Sequence, residues 1–183
     1  CRKAAMKIVD GEKTVKITEK DLHEYLGAPR YFPERQALEE RVGVVNGLAW
    51  TSVGGELLEV EVNVVPGSGK VELRSQAERL GISQNFYKEK DIHVHFPEGA
   101  VPKDGPSAGI AITTAIVSAL TGVPVRRGLA MTGEVTLRGR VLPIGGLKEK
   151  TMAAFRNGIR TVIIPADNEK DLEEIDQTVR GAL

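Results

Sequence analysis

The chain has 183 residues, 41% of them hydrophobic and 27% charged, a balance typical of one soluble globular domain. Lysine plus arginine equals aspartate plus glutamate, 25 of each, so the bulk charge does not indicate nucleic acid or an anionic membrane as a partner. Cys1 is the only cysteine, which excludes an internal disulfide and fits a reducing, cytoplasmic compartment. Residues 108–120 form the longest apolar stretch, which is too short and too polar to cross a bilayer. Since the sequence opens on Cys1 rather than Met, we expect it to be part of a longer protein.

The first forty residues differ in pattern from the rest. Arg2–Val9 is typical of the end of a helix, and Thr14–Thr18 alternates like a short strand. The spacing of Thr18 and Asp21 indicates a capping box, which would open a helix that stops at Gly27. Residues 28–40 contain two prolines and many charges, so we interpret them as a linker and place a domain boundary at its end.

From residue 42 onward, strand and helix patterns are mixed without a strict βαβ rhythm. This mixture predicts an α+β or irregular α/β fold with mixed sheets, hairpins and packed helices. In chain order, the predicted elements are hairpin strands at Val42–Ser52 and Glu56–Val65 around residues 53–55, a helix end at Gln76–Leu80, a strand at Ile92–Phe96, a buried helix at Ser107–Leu120, hairpin strands at Leu129–Leu137 and Arg140–Ile144, a helix at Leu147–Arg156, a fully buried strand at Thr161–Pro165 and a charged C-terminal helix.

A five-residue motif is compatible with a nucleophilic serine. It is Gly105-Pro106-Ser107-Ala108-Gly109, which matches G-x-S-x-G, the pattern that presents a serine on a tight turn entering a helix. The free backbone amides of a helix start could also stabilise an oxyanion there. The same five residues fit a serine that only caps a helix, so the motif alone leaves both interpretations open.

A nucleophilic serine needs a base, and the histidines are in the wrong place for the α/β-hydrolase order. That order requires the acid and then the histidine after the serine, whereas His23, His93 and His95 all precede Ser107. This excludes an α/β-hydrolase. A lysine that is kept neutral can serve instead.

Lys150 is the lysine that the sequence places on an apolar helix face. Leu147, Thr151 and Ala154 share that face at helical spacing, whereas Lys148 points away from it. Burial near a helix N-terminus lowers a lysine pKa from about 10.4, and reaching about 7–8 costs roughly 3–4 kcal/mol. The spacing fits equally well a lysine whose stem only covers apolar surface.

Two other patterns are incomplete versions of a metal site and a nucleotide-binding site. His93 and His95 lie on one face of a predicted strand, but no third ligand at diagnostic spacing accompanies them, so we predict no metal site. Gly69-Lys70 resembles the end of a P-loop, yet Val64 and Val71 occupy the positions that require Gly and Ser or Thr. We therefore predict no nucleotide cofactor on these residues.

Longer motifs surround Ser107 and Lys150. They are Pro102–Gly109 (PKDGPSAG), Met131–Glu134 (MTGE) and Leu142–Lys150 (LPIGGLKEK), with supporting matches at Arg41–Thr51, Asp91–Ala100 and residues 160–174. These motifs resemble the proteolytic domain of Lon, the ATP-dependent protease, of the bacterial LonA type. The resemblance covers residues 41–183, and residues 1–40 resemble the tail of the preceding ATPase module with its linker.

The resemblance implies roles for individual residues. Ser107 would attack the peptide carbonyl to form an acyl-enzyme, Lys150 would take its proton, and Thr132 would orient the lysine. The remaining positions that match the family's site are the supporting residues Asp104, Gly105, Pro106 and Ala108, and Trp50 near the cleft.

The resemblance also implies a serine endopeptidase that degrades misfolded and regulatory proteins as part of a homohexameric ring. ATP and Mg²⁺ would bind in an ATPase module absent from this chain, and neither nucleic acid nor membrane is implied. The sequence departs from the family after Leu73. The family has roughly twenty further residues there, about one helix with its turn, which this sequence lacks. Their absence is either a true deletion or a disordered segment missing from the sequence. From the resemblance we also expect a truncated C-terminal helix. Two alternatives are a non-catalytic Lon-like scaffold for ring assembly and a Ser/Lys amidase acting on small substrates.

Overall fold

The computed structural model describes residues 2–11, 13–27, 40–51, 54–67, 80–83, 85–97 and 105–183. The chain divides into two compact units, Cys1–Glu34 and Arg35–Leu183. The helices and strands are α1 Arg2–Val9, α2 Leu22–Leu26, β1 Val44–Thr51, β2 Gly54–Pro66, α3 Phe86–Glu89, β3 Lys90–His95, α4 Gly109–Thr121, β4 Leu129–Met131, β5 Glu134–Val135, β6 Val141–Leu142, α5 Leu147–Arg156, β7 Thr161–Ile163 and α6 Gln177–Arg180, with 3₁₀ segments at Glu19–Asp21, Pro106–Ala108 and Ala166–Glu174.

The first unit contains two short helices with no buried residue in either. The helix predicted at Arg2–Val9 is confirmed, and so is the capping box, in which the Thr18 amide donates to Asp21 Oδ2 at 2.8 Å. α2 ends before Gly27, as predicted. The strand predicted at residues 14–18 is wrong, because Thr18 uses its amide and hydroxyl to cap the following helix instead of pairing with another strand.

The second unit is built on a five-stranded mixed sheet with the order β3-β2-β1-β4-β7. β1 pairs antiparallel with β2 and parallel with β4, and β4 pairs parallel with β7. The α+β class is therefore confirmed, together with the first hairpin and the strand β3. The turn of that hairpin was predicted too long, because Gly54 and Gly55 belong to β2 and pair with Thr51 and Trp50.

α4 and α5 cover opposite faces of the sheet. Alternate residues of a strand point to opposite faces. Val45 and Met131 belong to the cluster that contains Ala111 and Ala115 of α4, whereas Leu48 joins the cluster that contains Ala154 of α5. Strands β1 and β4 thus lie between α4, the helix that follows Ser107, and α5, the helix that carries Lys150.

The segment that was predicted as one strand at Leu129–Leu137 is two strands in different sheets. β4 lies in the main sheet, while β5 pairs with β6 as a small antiparallel hairpin, which confirms the second predicted hairpin in part. The break falls at residues 132–133, because Gly133 uses its backbone groups for another partner. Its amide donates to the Ser107 carbonyl at 2.8 Å, and its carbonyl accepts from the Ile110 amide at 3.0 Å.

The helices predicted at α4 and α5 are confirmed, but most residues of α4 are half-buried and not buried as predicted. The C-terminal elements require two corrections. β7 is not fully buried, because it is an edge strand of the sheet and its residues alternate between exposed and half-buried. The predicted charged helix is a 3₁₀ segment followed by the short α6, since Ile175 is extended and the Asp176 side chain caps a new helix. Three predictions lie outside the described residues: the linker at residues 28–40 apart from Glu40, the helix end at Gln76–Leu80 apart from Leu80, and Asp104.

Candidate active site

Ser107 lies half-buried in a 3₁₀ turn that leads directly into α4. The two glycines of its motif are needed for different physical reasons. Gly105 has a φ of 123°, a left-handed conformation that other residues rarely adopt. A Cβ on Gly109 would lie 2.7 Å from the Val135 amide nitrogen, so the start of α4 can approach β5 only with glycine there. Pro106 and Ala108 complete the turn between them.

The backbone of Ser107 is held by the loop between β4 and β5. Its carbonyl oxygen accepts from the Gly133 amide at 2.8 Å and from Thr132 Oγ1 at 3.3 Å. The amides that follow Ser107 are also engaged: Gly109 donates to the Pro106 carbonyl, and Ile110 donates to the Gly133 carbonyl at 3.0 Å. The turn has the form expected of a nucleophile that enters a helix, and it is fixed from one side by Thr132.

Lys150 is buried on the inner face of α5, with 2% of its surface exposed. The predicted face is confirmed, because Leu147, Thr151 and Ala154 are buried beside it and Lys148 is exposed. Burial lowers the pKa of Lys150 from 10.5 to about 8, because an ammonium group loses hydration in the protein interior. A substantial fraction of the amine is therefore neutral at mildly alkaline pH.

Thr132 joins the lysine to the serine turn. Lys150 Nζ donates to Thr132 Oγ1 at 3.3 Å, and Thr132 Oγ1 donates its own proton to the Ser107 carbonyl oxygen. The threonine is 1% exposed, so this hydrogen-bond chain is shielded from water. In the part of the chain that the structure describes, Ser107 Oγ and Lys150 Nζ are not hydrogen-bonded to each other. Catalytic contacts of this kind are often long without substrate and shorten in the substrate complex.

Trp50 belongs to β1, and its side chain lies beside the start of α5 with 56% of the residue exposed. A Cβ on Gly146 would lie 2.9 Å from Trp50 Cγ, so the indole packs against the turn that precedes the lysine helix. The position of Trp50 beside Gly146 was not specified by the sequence. Gly55, its cross-strand partner, was missed as a site residue, although a Cβ there would lie 2.1 Å from the Glu149 carbonyl oxygen.

The two histidines of the second unit take no part in this arrangement. His93 and His95 are exposed on β3, an edge strand of the sheet. Among the residues that the structure describes, no group of three His, Cys, Asp or Glu side chains could hold a metal ion. None of the helices in the described residues has the length and apolar character needed to span a membrane.

Comparison with known proteins identifies the family. A family model for the Lon protease (S16) C-terminal proteolytic domain matches residues 16–73 and 71–183. The chain is 53% identical over 203 residues to Lon protease of Brevibacillus choshinensis, with 100% of this chain and 26% of the relative covered. It is 53% identical over 200 residues to Lon protease of Escherichia coli K12, covering 98% of this chain and 26% of that protein. Lon protease of Azorhizobium caulinodans is 51% identical over 202 residues, with 100% of this chain and 24% of that protein covered.

The class of protein is thus a serine endopeptidase domain. Within that class, the chain belongs to the family of Lon (S16) C-terminal proteolytic domains. It spans about a quarter of the length of the curated relatives it matches.

Proposed function

We propose that Ser107 and Lys150 form the catalytic dyad of this endopeptidase. The observation that carries the proposal is the buried amine of Lys150, whose pKa is lowered to about 8 and which reaches the serine turn through Thr132. A buried, partly neutral lysine is what a serine needs as a base when no histidine is available. Because Thr132 accepts an N–H from the lysine, the lone pair of the neutral amine stays free for the serine proton.

The reaction then follows from these two groups. Lys150 Nζ takes the proton of Ser107 Oγ while the oxygen attacks the peptide carbonyl carbon to form a tetrahedral oxyanion. The tetrahedral intermediate expels the amine, which takes the proton from Lys150 and leaves an acyl-enzyme on Ser107. A water molecule then gives a proton to Lys150 and attacks the ester carbonyl. When this second intermediate collapses, Lys150 returns the proton to Ser107 Oγ, and the carboxylic acid product leaves the free hydroxyl and the neutral amine behind.

The intact protein, in our proposal, degrades unfolded and selected regulatory proteins in the cytoplasm as a homohexameric ring. The family resemblance supports this, and the names of the relatives are those of proteases. We place ATP and Mg²⁺ outside this chain, because its sequence contains no complete P-loop pattern. The dyad itself requires no cofactor. Asp104 has only a proposed supporting role next to the nucleophile.

Labelling with a fluorophosphonate probe and cleavage of an unstructured peptide test the dyad. Ser107→Ala should lose both, whereas Ser83→Ala, which changes an exposed serine, should retain both. Lys150→Arg should be equally inactive, since a guanidinium group does not lose its proton in a protein, and Lys148→Arg on the exposed face should be active. Wild-type protein that neither labels nor cleaves would be a scaffold. Turnover of small esters and amides but not of peptides would make it a small-substrate amidase.

A second assay addresses the dependence on ATP. This chain alone should cleave short or unfolded peptides slowly, without ATP, and should leave a stably folded protein intact. ATP-stimulated degradation of the folded protein by this chain alone would contradict the location that we propose for ATP.

A further inference from the structure

The position of Lys150 depends on the turn that precedes its helix. α5 begins at Leu147, and the first turn of the helix includes a hydrogen bond from the Lys150 amide to the Gly146 carbonyl at 3.0 Å. Residues 143–146 form the turn that connects β6 to α5. A shift of these four residues would therefore move the backbone of Lys150 and, with it, the amine that contacts Thr132.

One side chain fixes this turn from outside. Ile144 donates its amide to Asn168 Oδ1 at 3.0 Å, and Asn168 Nδ2 donates to the Ile144 carbonyl at 2.8 Å. The carboxamide thus pairs with both backbone groups of one residue, as a neighbouring strand would. Its second N–H donates to Asp171 Oδ2 at 2.6 Å, so the orientation of the amide is also set.

The surroundings make these bonds hard to replace. Asn168 is 1% exposed in the 3₁₀ segment Ala166–Glu174. The residues around it pack against α5, where Leu147 forms a buried cluster with Ile175 and Val179. A buried amide or carbonyl without a partner is strongly disfavoured, so arrangements of the turn that separate Ile144 from Asn168 are suppressed.

We propose that Asn168 is a positioning residue for Lys150, which acts by fixing the turn at residues 143–146 from which α5 starts. This inference rests on the proposed role of Lys150 as the base. Asn168 touches neither Ser107 nor Lys150, and its effect passes through the backbone of Ile144. Burial is the cause of the low pKa of Lys150, and no charged side chain of the described residues contributes to it.

The test compares Asn168, which bonds to the turn before α5, with Asn157, which lies just after the last residue of α5. Each is changed to alanine in the full chain. Asn168→Ala removes the bonds to Ile144, whereas Asn157→Ala removes only a bond from Nδ2 to the Ala153 carbonyl at the end of the helix. For Asn168→Ala we expect peptide kcat to fall by about tenfold or more with KM changed by less than about twofold, because chemistry and not binding is affected. The midpoint of its pH–activity profile should move upward, since a looser turn admits water to Lys150. Asn157→Ala should keep the wild-type kcat and midpoint.

A purely structural role for Asn168 would lower the melting temperature and leave kcat and the pH midpoint unchanged in the folded protein, which would overturn the proposal. If Asn168→Ala does not fold, Asp171→Ala is the deciding variant, because it removes the partner that orients the Asn168 amide without touching Ile144. A smaller decrease in kcat and a smaller upward shift of the pH midpoint would support the proposal. Wild-type kinetics would overturn it. Ser107→Ala and Lys150→Arg are measured beside these variants. If either keeps wild-type activity, the dyad has failed; if both are inactive while the Asn168 variant behaves as wild type, only the positioning role has failed.

Discussion

Lys150 Nζ lies 3.3 Å from Thr132 Oγ1, and both side chains are buried within the second unit of the chain. The threonine comes from the loop that follows β4, and the lysine comes from the first turn of α5. Because the threonine proton is directed at the Ser107 carbonyl, Thr132 receives a hydrogen bond from the lysine and does not compete for its lone pair. One hydroxyl therefore orients the amine and connects it to the serine turn.

Replacing Thr132 with valine should remove both of these bonds at nearly constant volume. We expect kcat for peptide cleavage to fall by about tenfold, or about 1.4 kcal/mol, which is the value of the one bond to Lys150, because the Gly133 amide still holds the Ser107 carbonyl. Thr132→Ser should retain most activity, because it keeps the hydroxyl. Thr151→Val is the matched control: that threonine is equally buried and next to Lys150, but its hydroxyl bonds only to carbonyls of its own helix. Equal loss in both valine variants would show that burial of a threonine, and not its link to Lys150, is what matters.

The pH dependence of activity should follow the ionisation of Lys150. Its pKa is lowered to about 8 by burial, and only the neutral amine can accept the serine proton. Activity should therefore rise with pH through about 8 and level off above it, in a profile of acylation rate measured by fluorophosphonate labelling. His93→Ala and His95→Ala should leave this profile unchanged. A midpoint near the ordinary histidine value of about 6.5 that disappears in one of these variants would contradict a lysine base.

The sequence was sufficient for those parts of the site that depend on local periodicity. Helical spacing alone placed Lys150 on the buried face and Lys148 on the exposed one, because side chains three and four residues apart share a face. The glycines around Ser107 likewise indicated a tight turn, since Gly105 adopts a backbone conformation that favours glycine.

Features that depend on distant contacts were not predictable in the same way. A pair of glycines is typical of a turn, so Gly55 was interpreted as part of one, whereas its absent side chain serves the approach of α5. The apolar run at Thr161–Pro165 does not reveal whether a strand lies in the centre or at the edge of a sheet, and β7 is an edge strand. Asn168 had no pattern of its own, because its partner Ile144 lies on a different element.

Lys150 should destabilise the fold at neutral pH. A lowering of its pKa from 10.5 to about 8 corresponds to roughly 3 kcal/mol, the cost of burying the charged form. Lys150→Met should therefore raise the free energy of unfolding at pH 7 by about 2–3 kcal/mol, measured by urea denaturation, whereas the exposed control Lys148→Met should change it by less than about 0.5 kcal/mol.

The sign of the pH dependence gives a second criterion for the stability effect. Between about pH 8 and 10.5 the unfolded chain binds more protons at Lys150 than the folded chain, so wild-type stability should rise with pH relative to Lys150→Met. Below about pH 8 both states are protonated, and the full difference should persist. A difference that stays constant from pH 7 to 10 would show that the amine is not held at a lowered pKa.

Gly55 should be required for the position of α5. A Cβ added there would lie 2.1 Å from the Glu149 carbonyl oxygen and 2.9 Å from the Lys150 amide nitrogen, both of them backbone atoms that cannot rotate away. Gly55→Ala should therefore displace the start of the helix. A misplacement of about 1 Å costs up to about a hundredfold in rate, and overpacking costs about 1–3 kcal/mol of stability. Fluorophosphonate labelling rates and urea denaturation measure the two effects.

Gly145→Ala is the control for Gly55→Ala, because a Cβ on Gly145 would meet no atom within 4 Å and the backbone there is not left-handed. It lies in the turn before α5, close to the same helix, and should leave labelling and stability near wild type. Gly55→Ala should lose labelling more strongly than stability, because the displaced atoms form the peptide bond between Glu149 and Lys150, the residue that carries the base. If Gly55→Ala labelled at the wild-type rate with undiminished stability, the contact between β2 and α5 would not determine where Lys150 lies, and the position of the lysine would have to depend on the turn at residues 143–146 alone.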